Sequence, residues 1–238
     1  IGTTTNALNS LFFMIAITRI NGLEDAGIFT IAFSTACILY MIGIYAGRIY
    51  QVTENNDKIS DTDYIVNRLI SSGAVIIIVI LFVILKGYNL CKSAIFVALS
   101  TYKALEAISE LFYGILQKND LLNIVGKSSF IKAIASLIAF VIVDLITKNV
   151  LLSSVSISII YILVIFLYDI KKTKNVIDHK KFNCKRAISI FKSGFFTFAI
   201  SFLGLYMTNA PKYAIDKFLT EDIQAIFGII IMPATVMG

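Results

Sequence analysis

The chain has 238 residues, 58% of them hydrophobic and only 15% charged, with a formal net charge of +6 and a mean hydropathy of +0.84. A soluble domain carries about 25% charged residues, so the composition excludes an ordinary water-soluble enzyme or nucleic-acid-binding domain and points to a polytopic membrane protein. Three widely spaced cysteines (Cys37, Cys91, Cys184) and one histidine, His179, leave almost no material for a disulfide framework, a zinc site or Ser/Cys–His catalysis.

Taken in chain order, apolar runs near the roughly 20 residues that cross a bilayer predict spans over residues 1–18, 26–47, 65–85, 93–116, 122–146, 150–168 and 194–215, with an eighth beginning near Ile223. The first is flecked with Thr3, Thr4, Thr5, Asn6, Asn9 and Ser10, too polar a set to face lipid all round. Two connections are long: 51–63 and the lysine-rich 169–193. The loops after the second, fourth and sixth spans hold Arg48, Lys58, Arg68, Lys118, Lys127 and eight cations between positions 171 and 192, against Arg19, Lys86, Lys92, Lys148, Lys212 and Lys217 on the other side. Cytoplasmic loops are enriched in Lys and Arg, so the N-terminus is expected in the cytoplasm and 169–193 reads as a cytoplasmic linker. Aromatics do not alternate with its cations as base stacking requires, so no nucleic acid is expected as a partner.

The chain opens at Ile1 with no visible signal peptide and closes within an apolar run (IFGIIIMPATVMG), so it is expected to be a piece of a longer protein. An internal echo supports this: LEDAGIF at 23–29 is similar to TEDIQAIF at 220–227. The two copies enclose six spans and so share one membrane orientation. Parallel six-helix halves are a transporter architecture.

Charges inside the spans carry the functional argument. At 100° per residue, Lys103, Glu106, Glu110, Tyr113 and Gln117 fall within an arc of about 80°. A lipid-facing charge near a helix centre costs about 2.5–3.5 kcal/mol, so this stripe must face protein or water. Lys103 can pair with Glu106 at i,i+3, which leaves Glu110 over. The stripe is either helix-locking glue or the wall of a wet cavity whose spare carboxylate couples transport to H+ or Na+. Lys132, a turn or two inside its span, is expected to snorkel to the cytoplasmic surface, and Asp144 to lie at the outer interface near Lys148. Pro211 removes a backbone hydrogen bond within or just beyond the seventh span. Lys212 beside it sits either at membrane depth or at the outer surface.

Several motifs resemble one family in order along the chain. ITRINGLEDAGIFTIAFS, with Thr18, Arg19, Gly22, Glu24 and Gly27, resembles the first-to-second helix junction of the oligosaccharidyl-lipid and polysaccharide flippases (O-antigen flippase-like) of the MOP (MATE-like) exporter superfamily. YAGRIYQVTE followed by TDYIVNRL resembles the next junction, ELFYGILQKND the end of helix four, and TNAPKYAI helix seven.

The resemblance implies an all-α, polytopic transmembrane bundle of MATE-like fold. Residues 1–193 would form the N-terminal six-helix lobe with its basic linker, and 194–238 the first one to two helices of a second lobe. It implies a transporter, not an enzyme, that flips polyprenyl-diphosphate-linked oligosaccharides across the bacterial cytoplasmic membrane by alternating access. Partners would be the lipid-linked oligosaccharide, membrane lipids and polysaccharide assembly proteins. No cofactor is expected beyond H+ or Na+ coupling. Cations in the cavity would compensate the diphosphate: Arg19, Arg48, Lys103 and Lys212. Glu106 and Glu110 would tune the cavity or carry the coupling ion, with Asn9, Tyr113, Gln117 and Asn209 as polar lining and Tyr213 as a stacking surface. Alternatives are a MATE-type drug exporter, which an acidic cavity would favour, a membrane-embedded polysaccharide polymerase or ligase, for which the external loops are short, and a non-transporting scaffold.

Overall fold

The structure, a computed structural model, describes residues 2–45, 47–53, 59–178 and 180–237. Lys58 and His179, and the side chains of Thr3, Thr4, Thr5 and Asn6, lie outside the described residues. Every regular element described is helical: α1 (Gly2–Ile20), α2 (Leu23–Ile44), α3 (Gly47–Thr53), α4 (Asp61–Lys86), α5 (Leu90–Lys118), α6 (Leu122–Thr147), α7 (Val150–Val164), a π-turn (Ile165–Asp169), α8 (Ile170–Thr173), α9 (Cys184–Phe218) and α10 (Glu221–Met237).

Five helical stretches are long and apolar enough to cross a membrane: Leu23–Ile44, Asp61–Lys86, Leu122–Thr147, Val150–Thr173 and Cys184–Phe218. Large apolar side chains such as Leu85, Ile84, Ile146, Phe166, Ile200 and Met207 are exposed on these helices. In water such a surface would aggregate; in a bilayer it is the lipid-facing coat. The chain is thus an all-helical membrane protein. α5 falls outside the apolar set because Lys103, Glu106 and Glu110 interrupt it, yet it is among the most enclosed elements. It packs on α2, α4 and α7, with α3 across its C-terminal half. α1 lies against α6, α6 against α7, and α10 along α2. The core at their centre is aromatic, with Phe13 and Phe140 ring centroids 4.5 Å apart and Phe29 beside both.

Local chemistry sets the helix ends. Ser60 and Asp63 form a capping box that starts α4, satisfying backbone donors that the helix cannot satisfy itself. Asn89 and Asn149 cap α5 and α7 through their side-chain oxygens. Gly22 turns the chain between α1 and α2 at φ 101°, a region that side chains disfavour.

Two expectations about boundaries change. The sixth span does not end at 168: the helix continues to Thr173, and Asp169 and Thr173 are fully buried. α9 begins at Cys184 rather than 194, so the stretch joining the two helices is only 174–183. Pro211 lies inside α9, where its missing N–H removes one helical hydrogen bond, as expected, and the helix continues to Phe218.

Candidate functional site

The polar stripe of α5 faces inward, as the cost of charge in lipid requires. Lys103 Nζ donates to Glu106 Oε2 at 2.7 Å, as the i,i+3 spacing suggested. Its ammonium also lies 5.2 Å from the Phe33 ring centroid, 5.4 Å from that of Tyr40 and 4.9 Å from that of Tyr102, distances at which a ring face attracts a cation. Glu110 is not left over. Arg48, on the short helix α3, reaches across with Nη1 3.7 Å from Glu110 Oε2 and donates from Nε to Gln117 Oε1 at 2.6 Å. The same guanidinium sits 5.9 Å from the centre of the Tyr113 ring. Arg48 thus joins the stripe, and Gln117 and Tyr113 support it.

Lys132 does not snorkel. It is 0% exposed and its Nζ forms an ion pair with Asp169, donates to Ser109 Oγ at 2.7 Å and to Tyr113 Oη at 3.2 Å. Ser128 Oγ donates to the other Asp169 oxygen at 2.5 Å. The π-turn carries Asp169 into this contact, since an extra residue per turn changes the direction in which its side chains point. Spacing within one helix cannot reveal a partner 37 residues away, but Ser128 and Ser136, one turn either side of Lys132, already mark its face as protein-facing.

Arg68, which the sequence groups with loop cations, lies roughly two turns inside α4 and is buried, donating from Nη1 to the Gly43 carbonyl at 2.9 Å. Lys212 lies within the bundle, 7% exposed, donating to Ser34 Oγ at 2.7 Å and Asn209 Oδ1 at 3.0 Å. Among the described residues no carboxylate pairs with Arg68 or Lys212. Tyr213 bonds Thr35 at 3.0 Å and stacks with Tyr206.

Other expected lining residues sit elsewhere. Arg19 is exposed at the end of α1. The 22 residues of α2, roughly 33 Å of helix, separate its end of the bundle from that of Arg48. Asn9 is buried between α1 and α6, donating to the Ala133 carbonyl at 3.0 Å, where it joins helices. Asp144 is 0% exposed, one turn before the end of α6; it accepts from Asn21 Nδ2 at 2.8 and 2.9 Å and from Ser153 Oγ at 3.0 Å. Neutral donors on two neighbouring turns, rather than Lys148, hold it.

Within the bundle, then, Arg48 is paired with Glu110, Lys103 with Glu106 and Lys132 with Asp169, while Arg68 and Lys212 have no carboxylate partner among the described residues. Among the described residues no group of three His, Cys, Asp or Glu side chains converges to hold a metal ion. The arrangement can accept negative charge in an otherwise apolar setting. Fold and site together define a polytopic helical membrane protein in which two buried cations, Arg68 and Lys212, have no carboxylate partner among the described residues.

The sequence is 30% identical over 232 residues to the capsular polysaccharide biosynthesis protein CapF of Staphylococcus aureus, an alignment covering 94% of this chain and 57% of that protein. The chain therefore spans a little over half the length of the curated relative it matches. No family model matches the sequence, and no solved structure matches it.

Proposed function

We propose that this chain is the first six-helix lobe, and the opening of the second, of a MATE-like flippase that moves polyprenyl-diphosphate-linked oligosaccharides across the bacterial cytoplasmic membrane. The observation that carries this reading is Lys212, buried with no acidic partner among the described residues. A cation enclosed without a counter-charge is costly, and a diphosphate entering the bundle supplies that charge through short charge-assisted hydrogen bonds. Arg68 is a second such cation, and in this reading Lys103 and Arg48 add further positive charge. Glu106 and Glu110 moderate the local charge and are the candidates for H+ or Na+ coupling. The similarity to a protein named for capsular polysaccharide biosynthesis agrees with a sugar-carrying substrate. In this reading no bond is made or broken, so the protein is not an enzyme. The N-terminus and the basic linker face the cytoplasm, and polysaccharide assembly proteins take up the product outside. Two buried cations with no paired carboxylate disfavour the organic cations that a drug exporter would carry.

The test is translocation of a fluorescent polyprenyl-diphosphate sugar by the full-length protein in vesicles. Lys212→Met is expected to slow translocation at least about tenfold, the equivalent of one contact of about 1.4 kcal/mol, and Lys212→Arg to restore most of it. Unchanged transport in Lys212→Met, or none by the wild type, would overturn the reading.

A further inference from the structure

At the end of the bundle away from the basic linker, two helical connections meet. Residues 87–89 join α4 to α5, and 219–220 join α9 to α10. Lys92, in the first turn of α5, donates from Nζ to Asp216 Oδ1 at 2.6 Å and to Glu221 Oε1 at 2.6 Å. The Tyr88 hydroxyl donates to the other Asp216 oxygen, and Lys86 Nζ stands 3.9 Å from it. The Lys92 ammonium also lies 4.4 Å from the Tyr88 ring centroid. Burial and the Asp216 carboxylate push the Tyr88 phenol well above its usual range, so it remains a donor. Two cations meet two carboxylates here, and the Asp216 side chain is only 2% exposed. Gly27 of α2 completes the closure, because a β-carbon at that position would collide with the Glu221 carbonyl.

These contacts all run between the α2–α4–α5 side and the α9–α10 side. Between Gly194 and Asn209, α9 buries no residue, so its hold on the rest of the bundle is concentrated toward its ends. At this end the ion-pair cluster on the α9–α10 turn stands beside apolar contacts, Tyr213 against Phe82 and Ala225 in the core. Water entering at a helix end can take over the hydrogen bonds of an ion pair as it separates, a substitution that an apolar contact does not have. We propose that Lys92 is the pin of a reversible latch: it holds this end of the pathway shut by clamping Asp216 and Glu221, and the pathway opens here when the α9–α10 turn withdraws. The inference rests on the transporter reading for its purpose, but not for its geometry.

The experiment is a distance measurement by electron–electron double resonance on the full-length protein in lipid nanodiscs. Spin labels are placed at Leu90→Cys and Leu219→Cys, both exposed positions flanking the latch, after Cys37, Cys91 and Cys184 are changed to Ser. The parent protein is expected to give one dominant short distance. Lys92→Ala and Asp216→Asn are expected to add a population longer by on the order of 10 Å, about a helix diameter. Lys92→Arg keeps the short distance. Glu221→Gln, which leaves the Lys92–Asp216 pair in place, gives a smaller shift and serves if Lys92→Ala does not fold. The same short distribution in every folded variant would overturn the latch. Vesicle translocation is scored separately. Lengthened distances with no flipping by the wild type would sink the transporter reading and leave the latch, while active flipping with unmoved distances would sink the latch alone.

Discussion

Lys132 is fully buried with its charge paired. Its ammonium is matched by the Asp169 carboxylate and donates to Ser109 and Tyr113, while Ser128 donates to Asp169. Removing one partner of such a pair strands the other charge in a low-dielectric interior, which costs about 3–5 kcal/mol. Lys132→Met is therefore expected to lower the thermal unfolding midpoint in detergent sharply, and the double variant Lys132→Met/Asp169→Leu to recover much of the loss. A midpoint unmoved by the single change would mean the pair is already solvated. Lys212 presents the opposite case. Hydroxyl and amide oxygens satisfy its hydrogen bonds but not its charge, and this difference is why Lys212 rather than Lys132 is the proposed anion contact.

Among the elements, the junction of α4 with α9 hangs on Asp63. Its carboxylate closes the α4 capping box with Ser60, accepts the Asn183 N–H at 2.8 Å and takes Arg186 Nε at 2.6 Å. Asp61 accepts the Asp178 N–H at 3.0 Å beside it, so the 174–183 connection is pinned to the start of α4 at two points. Beneath them, Ile190 packs with Ile59, Tyr64, Leu111 and Ile115. Asp63→Ala removes the reciprocal cap, worth about 1 kcal/mol, together with both long-range contacts. The expected result is faster proteolytic cleavage within 174–183 in detergent, with the helical content of the bundle retained. α9 itself is 35 residues long, roughly 52 Å, well beyond a hydrocarbon core of about 30 Å. Its first turns stand outside the apolar layer, where Lys185 and Lys192 are exposed.

For the whole molecule, the cysteines report orientation. Cys91 is exposed at the start of α5 and Cys184 is exposed at the start of α9, at opposite ends of the bundle. If the basic end faces the cytoplasm, an impermeant thiol reagent on intact cells labels Cys91 and leaves Cys184 unlabelled until the membrane is opened. The reverse pattern would invert the topology. The charge distribution has a matching logic. The latch end is balanced, with Lys86 and Lys92 against Asp216 and Glu221, whereas further in Arg68 and Lys212 have no paired carboxylate among the described residues. An anionic headgroup would find compensation at the middle of the bundle, the place where the bilayer offers none.

Much of this protein can be read from local sequence because the bilayer enforces local rules. Apolar length marks the helices, the lysine and arginine count suggests their direction, and the three- and four-residue spacing along α5 brings Lys103 to Glu106 and turns that face inward. The same spacing on α6 and α4, where serines flank Lys132 and follow Arg68, carries a weaker form of the signal. Pairing across helices is different. That Arg48 meets Glu110, that Lys132 meets Asp169 through a π-turn, and that Lys92 clamps the α9–α10 turn depend on which helix faces are brought together and in what register. Periodicity along one helix gives the direction of a side chain but not what stands opposite it. The sequence by itself determined a helical membrane protein with charge held away from lipid; only the tertiary structure decided which of those charges are paired with an opposite charge and which are not, because ion pairing depends on ångström distances between segments far apart in the chain.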